Sequence, residues 1–198
     1  MPGREQWQIE FLKSCAALSG LPGDAAPEAA LLGRSNVGKS SLLNTLAGQR
    51  QLARVSRTPG RTRLLNLYSV NDGRLRLVDC PGYGYAAASR SLRRAWGELI
   101  GDYLEQRANL RLAVLLVDSR LEPQPLDLEA CDWLRGRAMP LQLIATKWDR
   151  LSGNQRAAAA RRLAEAFGAE PLPFSSVTGE GGAELQRRLL ALTSNRSA

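Results

Sequence analysis

Apolar and polar positions along this chain alternate between short apolar runs and longer stretches with helical spacing. Ala29–Gly33 is a continuous apolar run ending in glycine, which predicts a buried strand. Lys39–Gly48 sets Leu42, Leu43 and Leu46 at helical spacing and closes on Gly48, so it reads as a helix. Leu64–Val70 and Arg74–Asp79 read as strands joined by Asn71-Asp72-Gly73, a tight-hairpin signal. The alternation continues with a helix over Ser91–Gln106, a buried strand over Arg111–Asp118 and a helix over Leu126–Arg135. A strand at Leu141–Thr146, a helix at Asn154–Phe167, a short strand at Pro173–Ser176 and a closing helix at Glu184–Thr193 complete it. Ahead of this series, Trp7, Ile9, Phe11 and Leu12 predict a short amphipathic helix or turn on the domain edge, followed by a connector around Leu21-Pro22-Gly23.

Strands alternating with helices imply an α/β fold: a mostly parallel six-stranded sheet with one antiparallel edge strand and helices on both faces. The expected organisation is an N-terminal segment over residues 1–27 packed on one domain of residues 28–193, with a frayed tail over 194–198. A length of 198 residues suits one domain with a sizeable core, and 44% hydrophobic against 23% charged residues is a globular balance. No apolar run approaches bilayer length and no leader pattern opens the chain, so a cytoplasmic protein is expected. Cys15, Cys80 and Cys131 are too few and too scattered for a disulfide framework and read as reduced thiols. The absence of histidine excludes a Ser-His-Asp triad, a Cys-His pair and any histidine-ligated metal.

Charge adds a second layer. Lys plus Arg outnumber Asp plus Glu by 27 to 19, a net +8, which favours a polyanionic partner. Among the basic residues only Lys13, Lys39 and Lys147 are lysine. A chain this ready to use arginine keeps lysine where a compact ammonium is needed, and two of the three lie in nucleotide motifs.

The first motif is Gly33-Arg34-Ser35-Asn36-Val37-Gly38-Lys39-Ser40, followed by Ser41. It matches GxxxxGK[ST] after a predicted strand and at the start of a helix, where backbone N–H groups and the helix N-terminus cradle phosphates. Lys39 would reach the β- and γ-phosphates, and the Ser40 hydroxyl would ligate Mg²⁺. Thr146-Lys147-Trp148-Asp149 ends a predicted strand; its aspartate can accept hydrogen bonds from both N1–H and the exocyclic amine of guanine, a donor pair adenine lacks. Asp79-Cys80-Pro81-Gly82 ends another strand, with Asp79 placed to hold Mg²⁺ through water and Gly82 N–H to sense the γ-phosphate. In the arginine-rich loop Thr58–Thr62, Thr62 is the candidate second protein ligand of Mg²⁺, closing over the γ-phosphate, with Gly60, Arg61, Arg63 and Leu64 beside it. Phe174-Ser175-Ser176 offers a backbone N–H to guanine O6. The catalytic candidates are Lys39, Thr62 and Asn36, and the metal candidates Ser40, Thr62 and Asp79. Together these features predict a P-loop GTPase binding GTP or GDP with Mg²⁺.

GRSNVGKSSL, SRTPGRT, LVDCPGYGYA, TKWDRL and FSSVTGEG resemble the EngB (YihA/YsxC) family of bacterial ribosome-biogenesis GTP-binding proteins, part of the TrmE–Era–EngA–EngB group. The likeness spans roughly residues 7–193. It implies a role in assembling the large ribosomal subunit and an effect on cell division and septation. It also implies K⁺ beside the phosphates, with Asn36 as one ligand. Asn36 equally suits a left-handed loop position, and both readings stand at this point. Two departures from the family pattern, the bulky Trp148 within TKxD and the lack of His after Asp118-Ser119-Arg120, remove no ligand. Tyr83 follows the DxPG turn where many signalling GTPases carry a water-orienting Gln, so slow intrinsic hydrolysis is expected. Arg50, Arg54, Arg57, Arg61 and Arg63 lie in an acid-free stretch, and Arg90, Arg93 and Arg94 form a second one. Both flank the γ-phosphate loops and point to ribosomal RNA as partner, with no membrane and the protein as a monomer.

Overall fold

The computed structural model describes residues 7–53, 64–84 and 92–194, with the backbone alone for 92–97. The strands are β1 (Ile9–Cys15), β2 (Glu28–Gly33), β3 (Leu65–Val70), β4 (Leu75–Asp79), β5 (Leu110–Asp118), β6 (Leu141–Thr146) and β7 (Leu172–Pro173). The helices are α1 (Lys39–Ala47), α2 (Leu92–Gln106), α3 (Pro125–Arg135), α4 (Gly153–Phe167) and α5 (Gly182–Ser194). The sheet order is β1-β3-β4-β2-β5-β6-β7. Each neighbouring pair from β4 through β7 is parallel, while β3 is antiparallel to both β4 and β1.

The predicted α/β class and parallel core are thus observed, but the sheet has seven strands rather than six. The added strand is β1, where a helix or turn was expected. Trp7 and Ile9 alternate into the core, whereas a register shift between Phe11 and Lys13 breaks the pattern and leaves Phe11 half exposed. The bulge makes the two-residue period look helical. β3 consequently lies one place in from the edge, covered by β1. The predicted hairpin is present: Asn71, Asp72 and Gly73 all have positive φ, at 47°, 56° and 81°.

β2 and β5 show why the strands read as continuous apolar runs. Ala30, Leu32, Ala113, Leu115 and Val117 face a core shared with α2, α3 and α4, while Ala29, Leu31, Leu112, Val114 and Leu116 face one shared with α1 and α5. Each fully buried leucine contributes about 2 kcal/mol of hydrophobic free energy. Glu28, at the opposite end of β2 from the glycine, is fully buried and accepts hydrogen bonds from Tyr103 (3.0 Å) and Arg107 (2.6 Å), which ties α2 to the sheet. The carboxyl ends of β2, β4, β5 and β6 are left as the place where loops gather, the usual ligand crevice of such sheets.

Candidate nucleotide site

Gly33–Ser40 leaves β2, turns through the loop and enters α1 at Lys39. Lys39 is buried, and its Nζ donates to the carbonyls of Gly33 (3.1 Å) and Arg34 (3.5 Å). Burial lowers its pKa and the Asp79 carboxylate opposes that shift. Asp79 itself is pushed up to about 6 by burial, against the attraction of Lys39, and its Oδ1 has no hydrogen-bond partner among the described residues. A solvent-shielded carboxylate oxygen with no partner, near the buried Lys39 ammonium, fits the electrostatics of a divalent cation. Ser40 stands half-buried in the first turn of α1, and no cluster of three acidic or thiol ligands competes for metal among the described residues. When bound, Mg²⁺ would neutralise phosphate charge here, with Ser40 and Asp79 as the available side chains.

Asn36 has φ 65°, so the conformational reading of this position is observed, and its carbonyl accepts a hydrogen bond from Lys147 Nζ at 3.0 Å. The same ammonium donates to Asp118 Oδ2 at 2.7 Å. Arg120 grips Asp118 from the other side, through Nε at 2.9 Å and Nη2 at 2.8 Å. Burial alone would raise the Asp118 pKa; the hydrogen bonds from Arg120 and Lys147 outweigh it and hold the carboxyl at about 2. Thr146 Oγ1 donates between the carbonyls of Val37 (2.8 Å) and Val117 (3.0 Å), a stitch joining the phosphate loop to β5 and β6.

Asp149 is held on both carboxylate oxygens. Ser175 Oγ donates to its Oδ1 at 2.7 Å, and Arg150 Nε lies 3.3 Å from its Oδ2. Ser175 Oγ in turn accepts from the N–H groups of Val177 (3.2 Å) and Thr178 (3.1 Å), so the loop after β7 is organised around it. Trp148 turns into the core, where it is 5% exposed and donates its backbone N–H to Phe174 O. Phe174 is buried in the core and Ser176 is exposed beside Ser175.

Of the predicted residues, Gly33–Ser41, Asp79–Gly82, Thr146–Asp149 and Phe174–Ser176 gather at the carboxyl end of the sheet. Cys80 is buried, its thiol pushed up by burial, and Pro81 is half-buried; neither side chain offers a ligand atom to the site. Leu64 is half-buried just before β3, while Gly60, Arg61, Thr62 and Arg63 lie outside the described residues, as do Arg54, Arg57 and Arg90. Two participants escaped the motif reading. Asp118 stands in a quoted strand end without a role, and its place opposite the lysine of TKxD was the available signal. Asp127 carries no pattern beyond being an acidic residue in the first turn of α3. A cavity of about 200 Å³ opens beside the phosphate loop, lined in part by Arg34, Asn36, Asp118, Gln124, Asp127 and Lys147.

The family model described as 50S ribosome-binding GTPase matches residues 28–147. A probable GTP-binding protein EngB of Pelotomaculum thermopropionicum is 47% identical over 180 residues, covering 89% of this chain and 90% of that protein. The counterpart from Syntrophotalea carbinolica is 45% identical over 186 residues, covering 91% and 88%. Among solved structures, a probable GTP-binding protein EngB superposes with a TM-score of 0.66 at 26% identity, over 85% of this chain and all of that one. Site geometry, family model and relatives converge: the chain belongs to the EngB family of GTP-binding proteins, within the 50S ribosome-binding GTPases.

Proposed function

We propose that this protein is a GTP-gated assembly factor for the large ribosomal subunit, acting in the cytoplasm as a monomeric G domain whose sheet includes β1. Loss of the protein would disturb cell division and septation through a shortage of mature ribosomes. The observation that carries the reading is the convergence of three strand ends on one crevice: β2 leads to Lys39 for phosphates, β4 to Asp79 for Mg²⁺ and Gly82 for the γ-phosphate, and β6 to Asp149 for the base. Such a site distinguishes GTP from GDP by what the third phosphate holds in place, which is the logic of a switch. Thr62 completes the Mg²⁺ and γ-phosphate contacts in this reading.

Slow intrinsic turnover follows from Tyr83. Its side chain is 1% exposed and hydrogen-bonded to Asp127, so it does not orient an attacking water in this arrangement. Transition-state charge must then be met by Lys39 and by a group from outside; K⁺ would supply that charge, with Asn36 as one residue that would hold it. The expected result is faster GTP turnover in K⁺ than in Na⁺, with the difference erased in Asn36→Ala; equal rates for the parent in both salts would remove K⁺ from the mechanism.

The basic stretches Arg50–Arg63 and Arg90–Arg94 supply the contact with ribosomal RNA, and binding through phosphates falls steeply with salt. Co-sedimentation with large subunits at two salt concentrations tests the whole reading. The GTP-bound form is expected to associate more tightly than the GDP-bound form, and Arg90, Arg93 and Arg94 replaced together by Glu should weaken association while GTP binding persists. Association indifferent to salt, nucleotide and these charges would refute it. Among the described residues no helix is long and apolar enough to cross a membrane.

A further inference from the structure

Tyr83 has more structural commitment than a residue merely absent from catalysis would need. Its phenol donates a hydrogen bond to Asp127 Oδ1 at 2.7 Å, and the two residues are only 1% and 3% exposed. A carboxylate so deeply placed is tolerated only when hydrogen bonds replace its lost water. The main chain of Tyr83 is secured as well. Ser35 N–H donates to Tyr83 O at 2.9 Å and Tyr83 N–H to Gly33 O at 3.4 Å, which makes a parallel bridge between the phosphate loop and the segment after β4.

The neighbouring Gly82 is consequently pressed on the phosphate loop. Ser35 Oγ donates to Gly82 O at 3.2 Å. A Cβ at Gly82 would stand 2.9 Å from Ser35 Cα and N and 3.0 Å from Lys39 Nζ, so only glycine brings the backbone this close. The residue assigned to sense the third phosphate therefore sits beside the ammonium assigned to bind it.

We propose that Tyr83 is a positioning residue: through its hydrogen bond to Asp127 on α3 it fixes Gly82 at the γ-phosphate end of the phosphate loop. The inference rests on the nucleotide-site reading above and adds to it the means by which GTP is told from GDP. With the anchor intact, the Gly82 N–H is ordered before the nucleotide arrives, and binding the third phosphate carries little of that ordering cost. With the anchor cut, the cost falls on GTP alone, since GDP has no group for Gly82 to meet. Arg34 Nη1 bonded to Gln124 Oε1 at 3.0 Å joins the same phosphate loop to the segment leading into α3, so both partners of the anchor stand on one connected frame.

The test is titration of fluorescent GDP and fluorescent GDPNP, with Mg²⁺, on the full chain and on Tyr83→Phe, Asp127→Ala and Asp127→Asn. Tyr83→Phe and Asp127→Ala are expected to lose about tenfold in GDPNP affinity, the scale of one hydrogen bond to a charged group, with GDP held within about twofold. Asp127→Asn retains an acceptor oxygen and should stay within about threefold of the parent for both nucleotides. A GDPNP-to-GDP ratio unchanged in Tyr83→Phe overturns the proposal. So does a parallel loss of both nucleotides, which marks a structural role only, or a loss in Asp127→Asn as deep as in Asp127→Ala. A parent protein that holds neither nucleotide overturns the site reading itself, and this inference with it.

Discussion

Asp149→Asn is expected to lower the affinity for guanine nucleotides by about a thousandfold and to admit xanthosine nucleotides in their place. The carboxylate reaches this position already oriented by Ser175 Oγ on one oxygen and Arg150 on the other, with its side chain only 15% exposed. Guanine presents two donors to it. An asparagine offers one acceptor and one donor to the same edge, so the amide N–H₂ meets the exocyclic amine of guanine donor to donor, and both go unpaired in a site that excludes most water. Xanthine carries a carbonyl at that place and restores the match. Competition of unlabelled GDP and xanthosine diphosphate against a fluorescent guanine nucleotide reads the switch directly. Retention of parent-like GDP affinity in Asp149→Asn would refute the role assigned to the residue. The Ser175 contact is part of the expectation, because an unsupported carboxylate would rotate and discriminate less.

The same residues show how far a sequence alone reaches. The strands leading to Gly33 and Asp118 were legible because parallel strands buried on both faces are written as near-continuous apolar runs, whereas the strand expected over Pro173–Ser176 is the half-buried β7, which ends at Pro173 and leaves Ser175 in the loop after it. β1 was not, because one bulged residue between Phe11 and Lys13 converts a two-residue period into apparent helical spacing. The phosphate loop was legible from its glycines and Lys39, yet the contacts that hold it, Thr146 Oγ1 on Val37 O and Lys147 Nζ on Asn36 O, join residues 109 and 111 positions apart. Asp127 is the clearest loss. A buried carboxylate on an amphipathic helix is indistinguishable in sequence from a solvated one until the partner phenol, 44 positions earlier, is seen against it. Pairings of this kind are set by topology, which local pattern does not encode.

Gly181→Ala is expected to lower the melting temperature by about 10 °C, the effect of roughly 3 kcal/mol in a chain of this size, and to weaken GDP binding about tenfold. Gly181 has φ 80°, and a Cβ there would overlap the carbonyl oxygen of Pro173 and stand 3.1 Å from its carbonyl carbon. Those atoms belong to β7, a two-residue strand paired with β6 through Ile144–Leu172 and Ala145–Pro173. On the other side Gly181 O accepts the N–H of Leu185, which is fully buried against α1 and the sheet. The core resists displacement more strongly than two strand residues do, so the added methyl would push β7 and the loop after it. That loop holds Ser175, whose N–H donates to Glu180 O at 3.1 Å and whose hydroxyl orients Asp149, so the strain reaches the Asp149 carboxylate. Gly179 provides the comparison: its φ is 78°, but a Cβ there meets nothing within 4 Å. Gly179→Ala therefore carries only the left-handed backbone cost of about 1 kcal/mol, a drop of about 3 °C, with GDP affinity close to that of the parent. Thermal melts and GDP titrations of the two variants side by side separate steric overlap from backbone strain. Equal losses in both would show that backbone conformation alone governs this turn and that the Pro173 contact does not transmit to the site.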